Sequence, residues 1–89
     1  MADTNIYGRS DITIEFTDTD PVPLSVNRLQ FKRIIVQTAD DNNADVLVGG
    51  SDPSIKLISG ASEKFYNGEL DSIYVSGAIG DVVNVHVEF

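Results

Sequence analysis

Residues 71–89 read DSIYVSGAIGDVVNVHVEF and decide the fold class. Residues 72–76 are rich in β-branched and aromatic side chains, GAIGD at 77–81 supplies two glycines and an aspartate, and 82–89 alternates strictly. Val83, Val85, Val87 and Phe89 share one parity, whereas Val82, Asn84, His86 and Glu88 share the other. Period-two alternation marks a strand with one buried face. Two strand-like runs around a glycine-containing turn predict a β-hairpin closed by GAIGD.

Upstream, the same logic recurs. Ile12, Ile14 and Phe16 alternate with Thr13, Glu15 and Thr17, which predicts a first strand stopped by DTDPVP at 18–23. Residues 24–26 are expected to resume pairing only at a sheet edge, because Pro23 cannot donate to a ladder. LQFKRIIVQT at 29–38 is the longest strand candidate, and its apolar residues change parity, with Leu29 and Phe31 against Ile34 and Val36. That change predicts a bulge near Lys32–Arg33 or a strand covered on both faces. ADDNNAD at 39–45 is turn chemistry, VLVGG a short strand, and SDPS at 51–54 another turn. Residues 55–58 and 64–66 read as further strands, separated by a bend at Gly60, and Asn67-Gly68 reads as a tight turn. No segment sustains helical periodicity, and residues 61–66 have room for one turn at most.

The expected fold is therefore all-β: a small antiparallel β-sandwich of about eight short strands, with a jelly roll among the arrangements this spacing allows. Residues 1–11 are expected to form an N-terminal arm and 12–89 a single sandwich domain. Ile14, Phe16, Ile35, Val75, Val83, Val85 and Val87 are the expected core.

Composition narrows function by exclusion. The 89 residues carry a formal net charge of −8, with 14 acidic and 6 basic residues, which opposes phosphate backbones and anionic lipid. Neither nucleic acid nor a membrane is an expected partner, and Arg9, Arg28, Lys32, Arg33, Lys56 and Lys64 form no basic run beyond Lys32–Arg33. With no cysteine there is no disulfide framework, thiolate metal site or cysteine nucleophile. The start MADTNIYGRSD lacks a basic stretch followed by an apolar run, so export through a classical signal is not expected.

Candidate chemistry is sparse. His86 is the only histidine and falls on the polar parity of the last strand, which leaves no second ligand for zinc or a triad and reads as a surface residue. Asp41, Asn43, Asp45 and Asp52 match positions 1, 3, 5 and 12 of a calcium loop, but Val46 stands where glycine is needed and Asp52 where a bidentate glutamate is expected. A solvated turn is the better reading. Asp18 with Asp20, and Glu69 with Asp71, are carboxylate pairs of the kind used in glycoside hydrolysis, though they lie in turns and tryptophan is absent. GGSDPS and SGAIGD match neither a phosphate loop nor a dinucleotide fingerprint. Tyr7, Tyr66 and Tyr74 read either as interface anchors or as caps on core edges. No catalytic, cofactor-binding or metal residue is expected, and no cofactor.

From Arg33 onward the order RIIVQT, polar turn, VLVGGSDPS, short strand, SGASEKF, LDSIYVSG and a valine-rich last strand resembles the small β-sandwich structural proteins of tailed-bacteriophage virions, of the capsid decoration (cement) or head-fibre type. The resemblance rests on Gln37 closing a strand, 46–49 with Ser51 and Asp52, Gly60 with Glu63, and Leu70 before Ile73, Tyr74 and Val75. It implies a non-enzymatic capsid decoration protein on the virion surface, made in the host cytoplasm and bound to the major capsid protein. It also implies a homo-oligomer, a trimer before a dimer by analogy with threefold positions on shells. The arm and the adjoining turn are the expected capsid contact: Thr4, Asn5, Ile6, Tyr7, Arg9, Asp18, Asp20 and Pro21. The rival expectation is a tail or head-fibre module that binds a host glycan with loops 39–45, 51–54 and 77–81.

Overall fold

The computed structural model describes residues 9–89. Eight strands form in chain order: β1 (Arg9–Glu15), β2 (Val22–Pro23), β3 (Gln30–Thr38), β4 (Val46–Gly49), β5 (Ile55–Leu57), β6 (Ser62–Glu69), β7 (Tyr74–Ser76) and β8 (Val82–Glu88). One 3-10 turn, Leu70–Ser72, separates β6 from β7. The strands build two four-stranded sheets, ordered β1-β8-β3-β6 and β2-β7-β4-β5, with antiparallel neighbours throughout. Successive strands alternate between the two sheets except β4 and β5, which pair within one, and this is the winding of a jelly roll. The expected all-β sandwich is therefore present.

β8 lies inside the first sheet, between β1 and β3. Val83, Val85 and Val87 are fully buried or nearly so, and burying each contributes about 1.5–2 kcal/mol. They meet Ile34 and Val36 from β3, Val46 and Val48 from β4 and Val75 from β7, closed at the ends by Phe16, Leu24, Phe31, Leu57 and Leu70. Ile14 is half-buried, as befits β1 at a sheet edge.

Four expectations need correction. The last two strands are not a hairpin: β7 pairs with β2 and β4, β8 with β1 and β3, and residues 77–81 carry the chain across the sandwich. The corner is occupied by Phe16, whose ring would come within 2.7 Å of a Cβ on Gly77, and whose backbone bonds Asp81 and Gly80 at 3.0 and 2.8 Å. Second, Ile35 is not in the core. It pairs with His86 on the outer face of the sheet, while its neighbours Ile34 and Val36 are fully buried.

Third, Asn67-Gly68 does not end a strand. Both residues lie within β6, where Asn67 takes a left-handed φ of 56° and Gly68 sits under the Phe31 ring, whose Cζ would be 2.9 Å from any Cβ. Lys32 and Asn67 drop out of the pairing between β3 and β6, yet the register is the same on either side. The parity change is thus a kink shared by both strands, not an extra residue in one. Fourth, strand begins at Arg9, so residues 9–11 belong to the sheet rather than to an arm; residues 1–8 lie outside the described residues. The short edge strand after the first loop is present two residues earlier than expected, at β2, and Leu24 is a core residue.

Candidate functional site

The space between the sheets is filled by apolar side chains. Its buried polar groups are Thr38, Ser76 and Asp81. Thr38 places its hydroxyl 2.7 Å from the Ile58 carbonyl and 3.2 Å from that of Ala61, and Asp81 accepts backbone N–H groups. A jelly roll can hold a ligand inside when polar side chains point inward. Among the described residues the interior offers no such donor set, and no three His, Cys, Asp or Glu side chains converge. His86 lies outside, 2.8 Å from Asp11 through Nδ1, with a half-exposed ring.

Surface chemistry concentrates in two places. The first is the end of the sandwich built from loops 16–21, 39–45, 58–61 and 77–81, which hold Asp18, Asp20, Asp40, Asp41, Asp45 and Asp81 and no lysine or arginine. The loops are fixed by side chains. Asn42 donates its amide to the Val82 carbonyl at 2.9 Å and accepts the Val82 N–H at 2.8 Å, imitating a strand partner. Asp81 accepts from Asn43 and Ala44, and Ser59 donates to the Asn42 carbonyl at 2.8 Å. Ile58 and Ile79 are exposed on the same pole. The result is a preorganised, anionic loop cluster.

The second place is the outer face of the β1-β8-β3-β6 sheet, where the register lays side chains in rows. Arg9, Glu88, Arg33 and Tyr66 form one row; Asp11, His86, Ile35 and Lys64 the next; Thr13, Asn84, Gln37 and Ser62 a third. Arg33 is ion-paired with Glu88, and Thr13 donates to Asn84 at 3.0 Å. The chain's basic residues look scattered in sequence, yet Arg9, Arg33 and Lys64 share this face.

The four expected contact residues that are described do not gather at one spot. Thr4, Asn5, Ile6 and Tyr7 lie outside the described residues. Arg9 begins β1, whereas Asp18, Asp20 and Pro21 follow its far end, about 23 Å away for seven strand residues. All four are exposed. Of the three loops expected to grasp a glycan, 39–45 and 77–81 meet through Asp81, but 51–54 caps the opposite end. Asp52 is thereby separated from Asp41, Asn43 and Asp45 by β4, which leaves no calcium loop. The Asp18 carboxylate accepts the Asp20 N–H at 2.9 Å, a local turn, and Glu69 and Asp71 both face Arg28, at 3.7 and 3.8 Å. Tyr66 stands exposed on the outer face, and Tyr74 is half-buried. The roles of Asn42 and Asp81 carried no signal in the sequence beyond their being Asx residues in turns.

No protein-family model matches the chain, and no curated protein matches it. Among solved structures it is similar to an RmlC-like cupin protein from Desulfovibrio desulfuricans, with a TM-score of 0.63 at 10% identity over 99% of this chain and 76% of that one. It is also similar to a cupin domain from Bordetella pertussis Tohama I, with a TM-score of 0.56 at 14% identity over 91% of this chain and 80% of that one. At such identities the likeness shows the fold alone. The coat protein of Tobacco streak virus, at a TM-score of 0.35, 8% identity and coverage of 90% of this chain and 84% of that one, is too distant to bear on function.

Proposed function

We propose that this chain is a structural protein of a tailed-phage virion, a capsid decoration protein that binds the outside of the shell and stabilises it. The observation that carries the proposal is where the chemistry sits: the interior is closed by apolar side chains, and the distinctive groups form a rigid acidic pole on the surface. Loops already held by Asn42, Asp81 and Ser59 lose little freedom on docking, so their binding energy is not consumed in ordering them. Asp18, Asp20 and Pro21 belong to this pole, and a basic site on the major capsid protein is the complement it fits. The resemblance in strand order and turn positions to virion sandwich proteins supplies the phage context.

The test adds the full chain, a chain beginning at Arg9, and the variant Asp40→Asn/Asp41→Asn/Asp45→Asn to undecorated tailed-phage capsids. Site occupancy and capsid melting are then measured at low and high salt. Saturable binding that raises capsid melting, weakens with salt and is reduced in the triple variant is the expected result. Loss of binding on deleting residues 1–8 would assign the contact to the segment before β1. Absence of binding by every form, together with binding to a surface glycan, would establish the loop cluster as a carbohydrate site instead.

A further inference from the structure

We propose that two copies of this chain associate back to back through the outer face of the β1-β8-β3-β6 sheet. The two-fold axis runs along the strands, between β8 and β3. The inference rests on the register of the sheet and is independent of the capsid reading.

Rotation about that axis lays β1 over the β6 of the second copy and β8 over its β3, and keeps each row on itself. Glu88 then meets Arg33 of the second copy, and Arg33 meets its Glu88; Asp11 meets Lys64, and Lys64 meets Asp11. Arg9 covers the exposed Tyr66 ring, an arrangement suited to a cation–π contact. His86 lies on Ile35, and Thr13 and Asn84 lie on Ser62 and Gln37. The internal pair Arg33–Glu88 becomes half of a ring of four alternating charges. Two sheets packed face to face keep their strands within about 30° of each other, which this axis permits.

Two other arrangements of the same face are opposed. A two-fold axis across the strands at the level of the Asp11 row would stack Asp11 on Asp11 and Lys64 on Lys64. Sliding the copies by one row would set Arg9 against Lys64. The occupant is a second copy for a further reason. The face carries Arg9, Arg33 and Lys64 against Asp11, Glu15 and Glu88, so it is neutral within a chain of net charge −8. Two such faces meet without the repulsion that any acidic surface of this chain would create. The symmetry closes at two, in place of the trimer implied by the resemblance.

Four strands about 4.8 Å apart, side by side over about seven residues, offer roughly 450 Å² per copy, which places the dimer among small, reversible interfaces. Sedimentation equilibrium of the full chain, followed up to about millimolar protein, is therefore the measurement. Asp11→Lys and Lys64→Asp are made separately. Within one copy these residues lie on opposite edges of the sheet and do not touch, so their coupling reports the contact between copies. Wild type is expected to dimerise. Each variant alone, confronting like charges twice, is expected to associate at least about tenfold more weakly. An equimolar mixture of the two restores both pairs and should dimerise as wild type does. Thermal melts monitored by circular dichroism verify that both variants fold. A wild type that stays monomeric at millimolar concentration, a trimer, or variants that mix without regaining association would overturn the proposal.

Discussion

Asp81 accepts the backbone N–H groups of Asn43 and Ala44 at 2.9 and 3.0 Å, and thereby ties the β7–β8 connection to the β3–β4 loop. The carboxylate is buried, and it spans 38 positions of sequence to reach Asn43. One side chain thus holds two loops at the acidic pole in a common frame.

Replacing Asp81 by Ala leaves two N–H groups without their acceptor. Urea denaturation is expected to register a loss of about 2–3 kcal/mol. Amide exchange at Asn43 and Ala44 should accelerate in the folded protein, well beyond the change at Val85. Unchanged exchange at those two amides would show that the carboxylate does not organise the loop.

Gly77→Ala forces a methyl group toward the Phe16 ring, which lies 2.7 Å from the position that a Cβ would take. The cost is expected at about 1–3 kcal/mol, as for other overpacked cores. Adding Phe16→Leu should remove part of that cost, so the two changes will be non-additive in a double-mutant cycle. Additive losses would place the ring elsewhere.

The parity of β3 yields a paired comparison. Ile34→Ala removes a fully buried side chain and should cost about 2–5 kcal/mol, whereas Ile35→Ala on the outer face should cost less than about 1 kcal/mol. Chemical denaturation of the two variants decides it, and equal losses would contradict the register.

Val85→Asp introduces an unpaired carboxylate at a fully buried position of β8, between β1 and β3. No cooperative thermal transition is expected for this variant, because the cost of the buried charge exceeds the few kcal/mol by which a domain this small is stable. A native-like melting curve would show that the position has access to water.

The Arg33–Glu88 pair has both side chains 38% exposed, so its contribution to the stability of one copy is small. A double-mutant cycle with Arg33→Met and Glu88→Gln, at a concentration where the chain is monomeric, should give a coupling of about 0.2–1 kcal/mol that falls with added salt.

Alternation in residues 82–89 and 12–16 was enough to place their buried faces, because a strand's side chains point to opposite sides whatever it pairs with. The turns at 39–45, 51–54 and Gly60 were legible for an equally local reason: Asx and glycine residues relieve backbone strain within a few residues. The acidic pole was visible only as composition, since its four loops are distant in sequence. The cationic side chains of the outer face were invisible, because Arg9, Arg33 and Lys64 come together only through cross-strand register.

Local patterning was sufficient for the number of strands, the β class and the face that most strands bury. Which strand joins which sheet was settled by packing between distant residues. GAIGD is a sound turn, yet the ring of Phe16 against Gly77 makes it a corner between sheets instead of a hairpin. Asn67-Gly68 favours a left-handed backbone, yet Phe31 over Gly68 keeps it inside β6. Local chemistry sets which backbone angles are accessible, whereas the partner that rewards those angles is a side chain many residues away, supplied by packing.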